Sequence, residues 1–414
     1  MKNSNKKSQK KSIKKQFKIN WKIVIIAGCF CVGLGIGFGI KAIVKNVKAK
    51  TLDVAFLDLP DQISAELESQ IKLVYQGKIN FVDIEKSAFN KNDVKKKYDI
   101  LFSWENEFTN SLKSDASFVP SECGSNMPES IFAHRTTSVP LLLDHFQIEF
   151  NDTVRHKVRI RYPGNIEQFE TYLNWIKKEV EYPFYCAGGD DETLYALLTC
   201  FVESYGGTDG YEKFIQILQN QKNLKDVIDV NLNGDSKNAY TLHNVLDILR
   251  GWQEEKLLPE NWIASKNSDV RNFILDDYIG VLFSSLSYYR TLPYNKASQF
   301  ASDRFPVANM AASHSLIAPA VIGMKLTKNE RFDSVFTTLT DTDVQTELSM
   351  STTYAPVASY ARVYDRQADD VRFLAAACAG GPKPIAGNVM NKEAYDSMIH
   401  QIRYYIKTGI IINE

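Results

Sequence analysis

Val139 to Asn151 reads VPLLLDHFQIEFN, a pair of extended apolar runs placed end to end. At about 3.3 Å of rise per extended residue, such a stretch is long enough to leave one packed lobe and enter another. On its N-terminal side, TLDVAFLDLP is a short apolar strand that ends in a turn, and Ile63, Leu67, Ile71 and Val74 then recur at helical spacing. KINFVDIE reads as a second strand, and Asp99 to Phe102 within KKKYDILFSWENEF as a third. Strand, helix, strand, helix, strand predicts an α/β lobe built on a parallel sheet. Ligands meet such lobes at the carboxyl ends of the strands, which here carry Asp58, Trp104 and Glu105.

On the C-terminal side the helical spacing returns over 166–179, 193–205, 210–220 and 240–255. IGVLFSSLSYYRT gives a buried strand over 279–283 that runs into Ser284, Tyr288 and Tyr289. The last hundred residues alternate short strands (LIAPAVIGMKLT) with helices over 341–350, 368–379 and 392–407. FYCAGGDDETLYALLTCFVESYGG, from Phe184 to Gly207, is a helix bracketed by glycine pairs, with Asp190, Asp191 and Glu192 crowded at its start. Asp190 or Asp191 is expected to cap that helix, and the helix dipole favours acids in the first turn. One acid suffices for a cap, so the surplus carboxylates ask for another explanation.

A chain of 414 residues exceeds one ordinary core, so two domains or two lobes are expected. The formal charge of zero conceals a segregation: the first fifty residues hold thirteen lysines and no acid, leaving 36 basic against 49 acidic side chains in the remainder. That acidic body argues against a nucleic-acid-binding surface. Eight lysines precede Trp21, and IVIIAGCFCVGLGIGFGI (Ile23 to Ile40) is an uncharged apolar run of about the length that spans a bilayer. The positive-inside rule keeps residues 1–22 in the cytoplasm, with 23–44 as a transmembrane anchor and the body on the extracytoplasmic side. Two other readings stay open: cleavage after Ala49, and lipidation at Cys29 in IIAGC. Two G-x-x-x-G spacings among Gly33, Gly35, Gly37 and Gly39 are read as ordinary span composition.

The cysteines of the body, Cys123, Cys186, Cys200 and Cys378, show no zinc spacing and admit either up to two disulfides or free core thiols. The six histidines are dispersed, and no H-E-x-x-H, G-x-S-x-G or phosphate-loop lysine is present, so no catalytic constellation stands out and no enzyme is expected. DVNLNGD (Asp229 to Asp235) begins like a calcium loop, but its twelfth position is Tyr240 where a bidentate glutamate belongs, so a polar turn is the better reading. GGDD opens a helix in an acidic body, unlike the metal-binding aspartates of a polymerase. Neither metal nor cofactor is expected.

The order of these pieces resembles the extracellular solute-binding proteins of ABC importers, in the family that binds sugars and oligosaccharides. The likeness covers nearly everything after residue 50. YDILFSWE is similar to the family's third strand with its ligand-facing tail, VPLLLDHFQIEFN to the segment that crosses into the second lobe, and YPFYCAGGDDETLYALLTCFVESYGG to the ligand-lobe helix. LDILRGWQEEKLLPENW followed by DYIGVLFSSLSYY resembles the helix, turn and strand beyond it, and LTDTDVQTELSMSTTYAPV the late segment with a buried glutamine and a tyrosine-x-proline turn. Val281-Leu282 stand where the family has alanine-methionine, and Thr353 where it has glycine.

The resemblance implies a two-lobed, type II periplasmic-binding-protein-like α/β fold behind an N-terminal transmembrane helix. The first lobe would be 51–150 plus about 305–345, the second 151–304 plus about 346–414. It implies a carbohydrate or related small solute as ligand and ABC importer permease subunits as partners. By motif position the ligand-facing residues are Asp58, Trp104 and Glu105 from the first lobe, Asp190, Asp191, Glu192, Tyr288 and Tyr289 from the second, and Tyr354 near the late turn. The alternative on the same fold is a membrane-anchored sensor or scaffold that uses it for protein contact.

Overall fold

The strand β1 (Leu52–Leu57) lies parallel to both β2 (Ile79–Ile84) and β3 (Ile100–Trp104), as a strand-helix-strand run requires. The helix Asp61–Val74 makes the first crossover and buries Ile63, Leu67 and Ile71 on one face. These residues come from a computed structural model that describes 51–133, 135–219, 221–233, 239–363 and 365–412. The expected lysine tail, the 23–44 anchor, Cys29 and the cleavage point after Ala49 lie outside the described residues, as do 234–238 of the calcium-like loop. Leu52–Glu414 forms a single compact unit. Among the described residues no helix is long and apolar enough to cross a membrane.

The VPLLLDHFQIEFN segment supplies strands to two different sheets. Its first run is β4 (Val139–Leu143) and its second β5 (Phe146–Asn151), with only Asp144 and His145 between. The later strands are β6 (Tyr182–Cys186), β7 (Ile279–Ser285), β8 (Phe300–Asp303), β9 (Leu316–Ile317), β10 (Ala320–Lys325), β11 (Ala355–Pro356) and β12 (Pro382–Lys383). One sheet has the order β11-β4-β10-β3-β1-β2, another β6-β7-β5-β8, and β12 pairs with β9 alone. Each large sheet has its own core: Val54, Phe56, Leu101 and Ile322 belong to one, Ile148, Phe150, Phe184 and Phe283 to the other. Burying both faces of these strands explains their nearly unbroken apolar runs.

The end of the chain is divided differently from the expectation. The resemblance places about 346–414 in the second lobe, yet β11 pairs with β4, and Ala368, Val371 and Ala375 of the helix Arg366–Ala377 pack into the core of the six-stranded sheet. Only the last part, with Met398, Ile402 and Ile406 of the helix Lys392–Thr408, joins the core of the four-stranded sheet. An amphipathic helix announces that it has an apolar face, but not which sheet will cover it. The chain therefore passes between the two sheets near 144–145, between β8 and β10, and again between residues 377 and 392.

At the glycine pair Gly206-Gly207 two helical segments meet across a kink, as the separate spacings over 193–205 and 210–220 anticipate. Together they span Asp191–Leu218, and Gly207 between them stands at φ 61°, ψ −160°, a conformation reserved for glycine. The break lets a connecting segment approach: Thr208 N–H donates to the Ser313 carbonyl at 2.7 Å, and a Cβ on Gly207 would stand 2.5 Å from that oxygen. Cys123, Cys186, Cys200 and Cys378 are free and buried, so the thiol alternative holds for them. Gly207→Ala is expected to destabilise the protein by about 2 kcal/mol or more. Urea unfolding measures this, and an unchanged midpoint would contradict the strain and contact assigned to the position.

Candidate functional site

The six-stranded sheet presents three side chains at its strand ends. Asp58 follows β1 in the left-handed region (φ 51°), which aspartate tolerates better than most residues, and its carboxylate pairs with Lys86 at 2.6 Å. Trp104 ends β3 and meets Tyr354 edge-on, with ring centroids 5.5 Å apart. Tyr354 is 8 % exposed and lies one residue before β11. Glu105, the next residue after Trp104, is tied elsewhere: Arg135 Nη2 donates to one of its oxygens at 2.8 Å and Lys113 Nζ to the other at 3.2 Å. Burial alone would raise this carboxyl, but the two cations bring it down to about 2.

The three acids of GGDDE divide their work. Asp190 occupies the N-cap position of Asp191–Leu218, but its side chain makes no bond to that helix, contrary to expectation. Its Oδ2 instead accepts from the backbone N–H of Asn267 at 2.7 Å, the first residue of the helix Asn267–Leu275, with Lys266 Nζ 3.3 Å from Oδ1. Capping therefore happens across a tertiary contact, which no local pattern encodes. Asp191 does not cap either: Arg403 Nη1 donates to it at 2.5 Å while Nη2 reaches the Gly188 carbonyl at 2.8 Å, binding the last helix to the turn. Glu192 is the remaining acid. Its side chain is exposed, yet desolvation by the surrounding protein, followed by the charges of Asp144, Asp190 and Asp58, pushes its carboxyl up to about 7 against the opposing pull of Lys86. Its charged neighbours come from both sheets.

Asp144, at the crossing between β4 and β5, is 9 % exposed. Ser287 donates to it twice, through the backbone N–H at 2.8 Å and through Oγ at 2.6 Å. Burial raises the carboxyl to about 6, with those bonds and the nearby Arg290 guanidinium opposing. Arg290 itself is held in a two-pronged pair with Asp365, at 2.9 and 3.0 Å.

Of the nine expected residues, Asp58, Asp190, Glu192 and Tyr354 share an electrostatic neighbourhood, which Trp104 joins through its ring contact with Tyr354. Electrostatic coupling joins Tyr354 to Asp144 and Glu192, and Glu192 to Asp58. Glu105 and Asp191 face other partners. Tyr288 donates its hydroxyl to the Asn267 carbonyl, and Tyr289 is buried with its hydroxyl on the Ala297 carbonyl, inside a separate cluster with Ile279 and Leu282. Adjacent tyrosines on the short helix Leu286–Tyr289 thus serve as props for the second sheet. Sequence reasoning missed Lys86, Asp144 and Ser287. The only available signal was a lone aspartate set between two apolar runs. Among the described residues no group of three or more His, Cys, Asp or Glu side chains is placed to hold a metal ion.

No protein-family model matches the chain, and no curated protein does. Solved structures do match. The bacterial solute receptor AcbH, described as having an exclusive preference for β-D-galactopyranose, superposes with a TM-score of 0.71 at 11 % identity, over 87 % of this chain and 93 % of that one. RafE of Streptococcus pneumoniae, in its apo form, gives 0.62 at 13 % identity over 87 % and 94 %. A chitin oligosaccharide binding protein gives 0.56 at 12 % identity over 87 % and 97 %. The fold is that of the solute-binding proteins.

In this solute-binding-protein fold the raised carboxyls have a consequence for stability. Asp144 and Glu192 keep their protons in the folded state at pH values where an unfolded chain has released them. Folded protein therefore binds more protons between about pH 4 and about pH 7, and stability falls as pH rises through that window. Glu105, lowered to about 2, acts in the opposite sense and only in acid, its contribution lost as pH falls toward that value. Glu192→Gln is expected to flatten the decline between those limits, measured as urea midpoints against pH. Parallel profiles for the variant and the unaltered protein would contradict the environment assigned to Glu192.

Proposed function

We propose that this chain is an extracytoplasmic solute-binding protein that captures a sugar-like ligand between two lobes of the type II kind and presents it to the permease subunits of an ABC importer. On this reading residues 23–44 anchor it in the membrane with the body outside. The supporting observation is that Glu192, from the helix that follows β6, shares an electrostatic neighbourhood with Asp58 and Tyr354 of the other sheet, and that Trp104 packs edge-on against Tyr354. Carboxylates accept hydrogen bonds from sugar hydroxyls, and the Trp104 ring covers the apolar face of a pyranose. Asp190, Asp191, Tyr288 and Tyr289 act behind them by fixing the turn and the strand end. AcbH, which shares the fold, is a receptor for a pyranose, and that favours a sugar here.

Closure follows from the same arrangement. Ligand contacts on both sides form together only when the lobes approach, so the ligand binds the closed state more tightly and shifts the population toward it. A permease that reads the closed form then distinguishes loaded from empty protein.

A panel of neutral mono- and oligosaccharides, read by melting shift and tryptophan fluorescence, tests this. At least one sugar is expected to bind, and Trp104→Ala and Glu192→Ala are each expected to weaken it about tenfold or more, with little change in melting temperature. If no sugar, peptide or polyol shifts the melting temperature at millimolar concentration, the transport reading fails, and a sensor or scaffold on the same fold takes its place.

A further inference from the structure

Beside Glu105 lies a cavity of about 490 Å³, within the size range of small-molecule sites. Of the nine residues expected to face a ligand, only Glu105 lines it, so it is a different place from the Trp104–Tyr354–Glu192 cleft. Its chemistry also differs. Three cations reach its wall, Lys113, Arg135 and Lys383, against the single carboxylate of Glu105. Ser114, Ser130, Thr136, Thr137 and Ser138 add hydroxyls to the lining, small and proline residues fill the rest, and among the described residues no aromatic ring takes part.

The charge is out of keeping with the body around it. After residue 50 the chain has 49 acids to 36 bases, yet here the balance is reversed. The cleft around Glu192 has the common sign, with Asp58, Asp144 and Asp190 against Lys86. The cations of the cavity are positioned by the fold. Arg135 is 13 % exposed and is fixed by the Ile131 carbonyl at 3.1 Å and by Glu105 at 2.8 Å. Lys113, 44 % exposed, shares Glu105 with it and keeps access to water. Lys383 comes from β12, on the late passage between the sheets, and pairs at 2.6 Å with Glu212, which does not line the cavity. A mostly desolvated guanidinium beside two accessible ammonium groups is a favourable setting for an oxyanion, and the ring of hydroxyls suits a partner with hydroxyls of its own.

We propose that this cavity is a second binding site, for a small polyhydroxylated molecule that carries one oxyanion, a carboxylate or a phosphate. The anion sits against Lys383 and Lys113, and the hydroxyls of the ligand exchange hydrogen bonds with Thr137 and Ser138. Galacturonate and glucose 6-phosphate have this chemistry, whereas galactose lacks the charge and inorganic phosphate lacks the polyol.

The four compounds are titrated onto the full chain by calorimetry and melting shift, with Lys113→Gln, Lys383→Gln, Lys383→Arg and Trp104→Ala alongside. At least one of the two sugar anions is expected to bind more tightly than either galactose or inorganic phosphate does at this site. Each glutamine variant is expected to weaken that binding about tenfold or more, Lys383→Arg to retain it, and added salt to reduce it. Trp104→Ala, which tests the cleft, is expected to leave it unchanged. Absence of binding by both sugar anions overturns the proposal. So does binding that survives the glutamine variants and is lost in Trp104→Ala, because the anion then occupies the cleft. The variants' melting temperatures without ligand, expected to match the unaltered protein, separate loss of site from loss of fold.

Discussion

Two residues, Asp144 and His145, separate a strand of one sheet from a strand of the other, and the whole architecture turns on that short passage. The two sheets cannot drift apart while β4 stays paired with β10 and β11 and β5 with β7 and β8, because the chain between them has no slack. The passage is also dry and fastened. Asp144 N–H donates to the Pro319 carbonyl, the His145 carbonyl accepts from Leu286 N–H, and the Asp144 carboxylate takes both donors of Ser287. Burial holds His145 well below its ordinary range, at about 3, so it crosses as a neutral ring. Backbone bonds such as these lower the cost of running polar groups through the interior.

Charge is distributed around this pivot according to burden. Asp190 and Asp191 look equivalent in sequence, and each is engaged in joining distant segments, the first to the start of Asn267–Leu275 and the second to the last helix through Arg403. Glu192 is left with no such partner among the described bonds and meets the charges of both sheets. The surplus of carboxylates at that turn is thus two structural fastenings and one exposed group near the charges of Asp58 and Asp144. Glu105 is a parallel case, since its neighbour Trp104 turns toward Tyr354 while its own carboxylate gathers Arg135 and Lys113.

Strands and helices were legible because their signal is local. The apolar runs of β1, β3, β4, β5 and β7 and the 3.6-residue spacing of Asp61–Val74 survive in the structure, as do the strand-end positions of Asp58 and Trp104. What escaped depends on contacts over long sequence separations. Nothing near Asp144 announces Ser287, 143 residues away, and nothing near Asp191 announces Arg403, 212 residues away. The destination of Arg366–Ala377 was misread for the same reason: its apolar face fits either core, and the choice is made by β11 pairing with β4. Tyr288 and Tyr289 show a further limit, because aromatic residues at a strand end have the same appearance whether they face a ligand or prop the strand.

In the proposed function a solute draws the two sheets together about the Asp144–His145 passage. Distance measurement by single-molecule energy transfer, between labels at the exposed Lys97 on the first sheet's side and Lys225 on the second's, reads this directly. A sugar that binds is expected to shift the population to a shorter separation, with Trp104→Ala requiring more sugar for the same shift. A separation unchanged at saturating sugar would contradict the account.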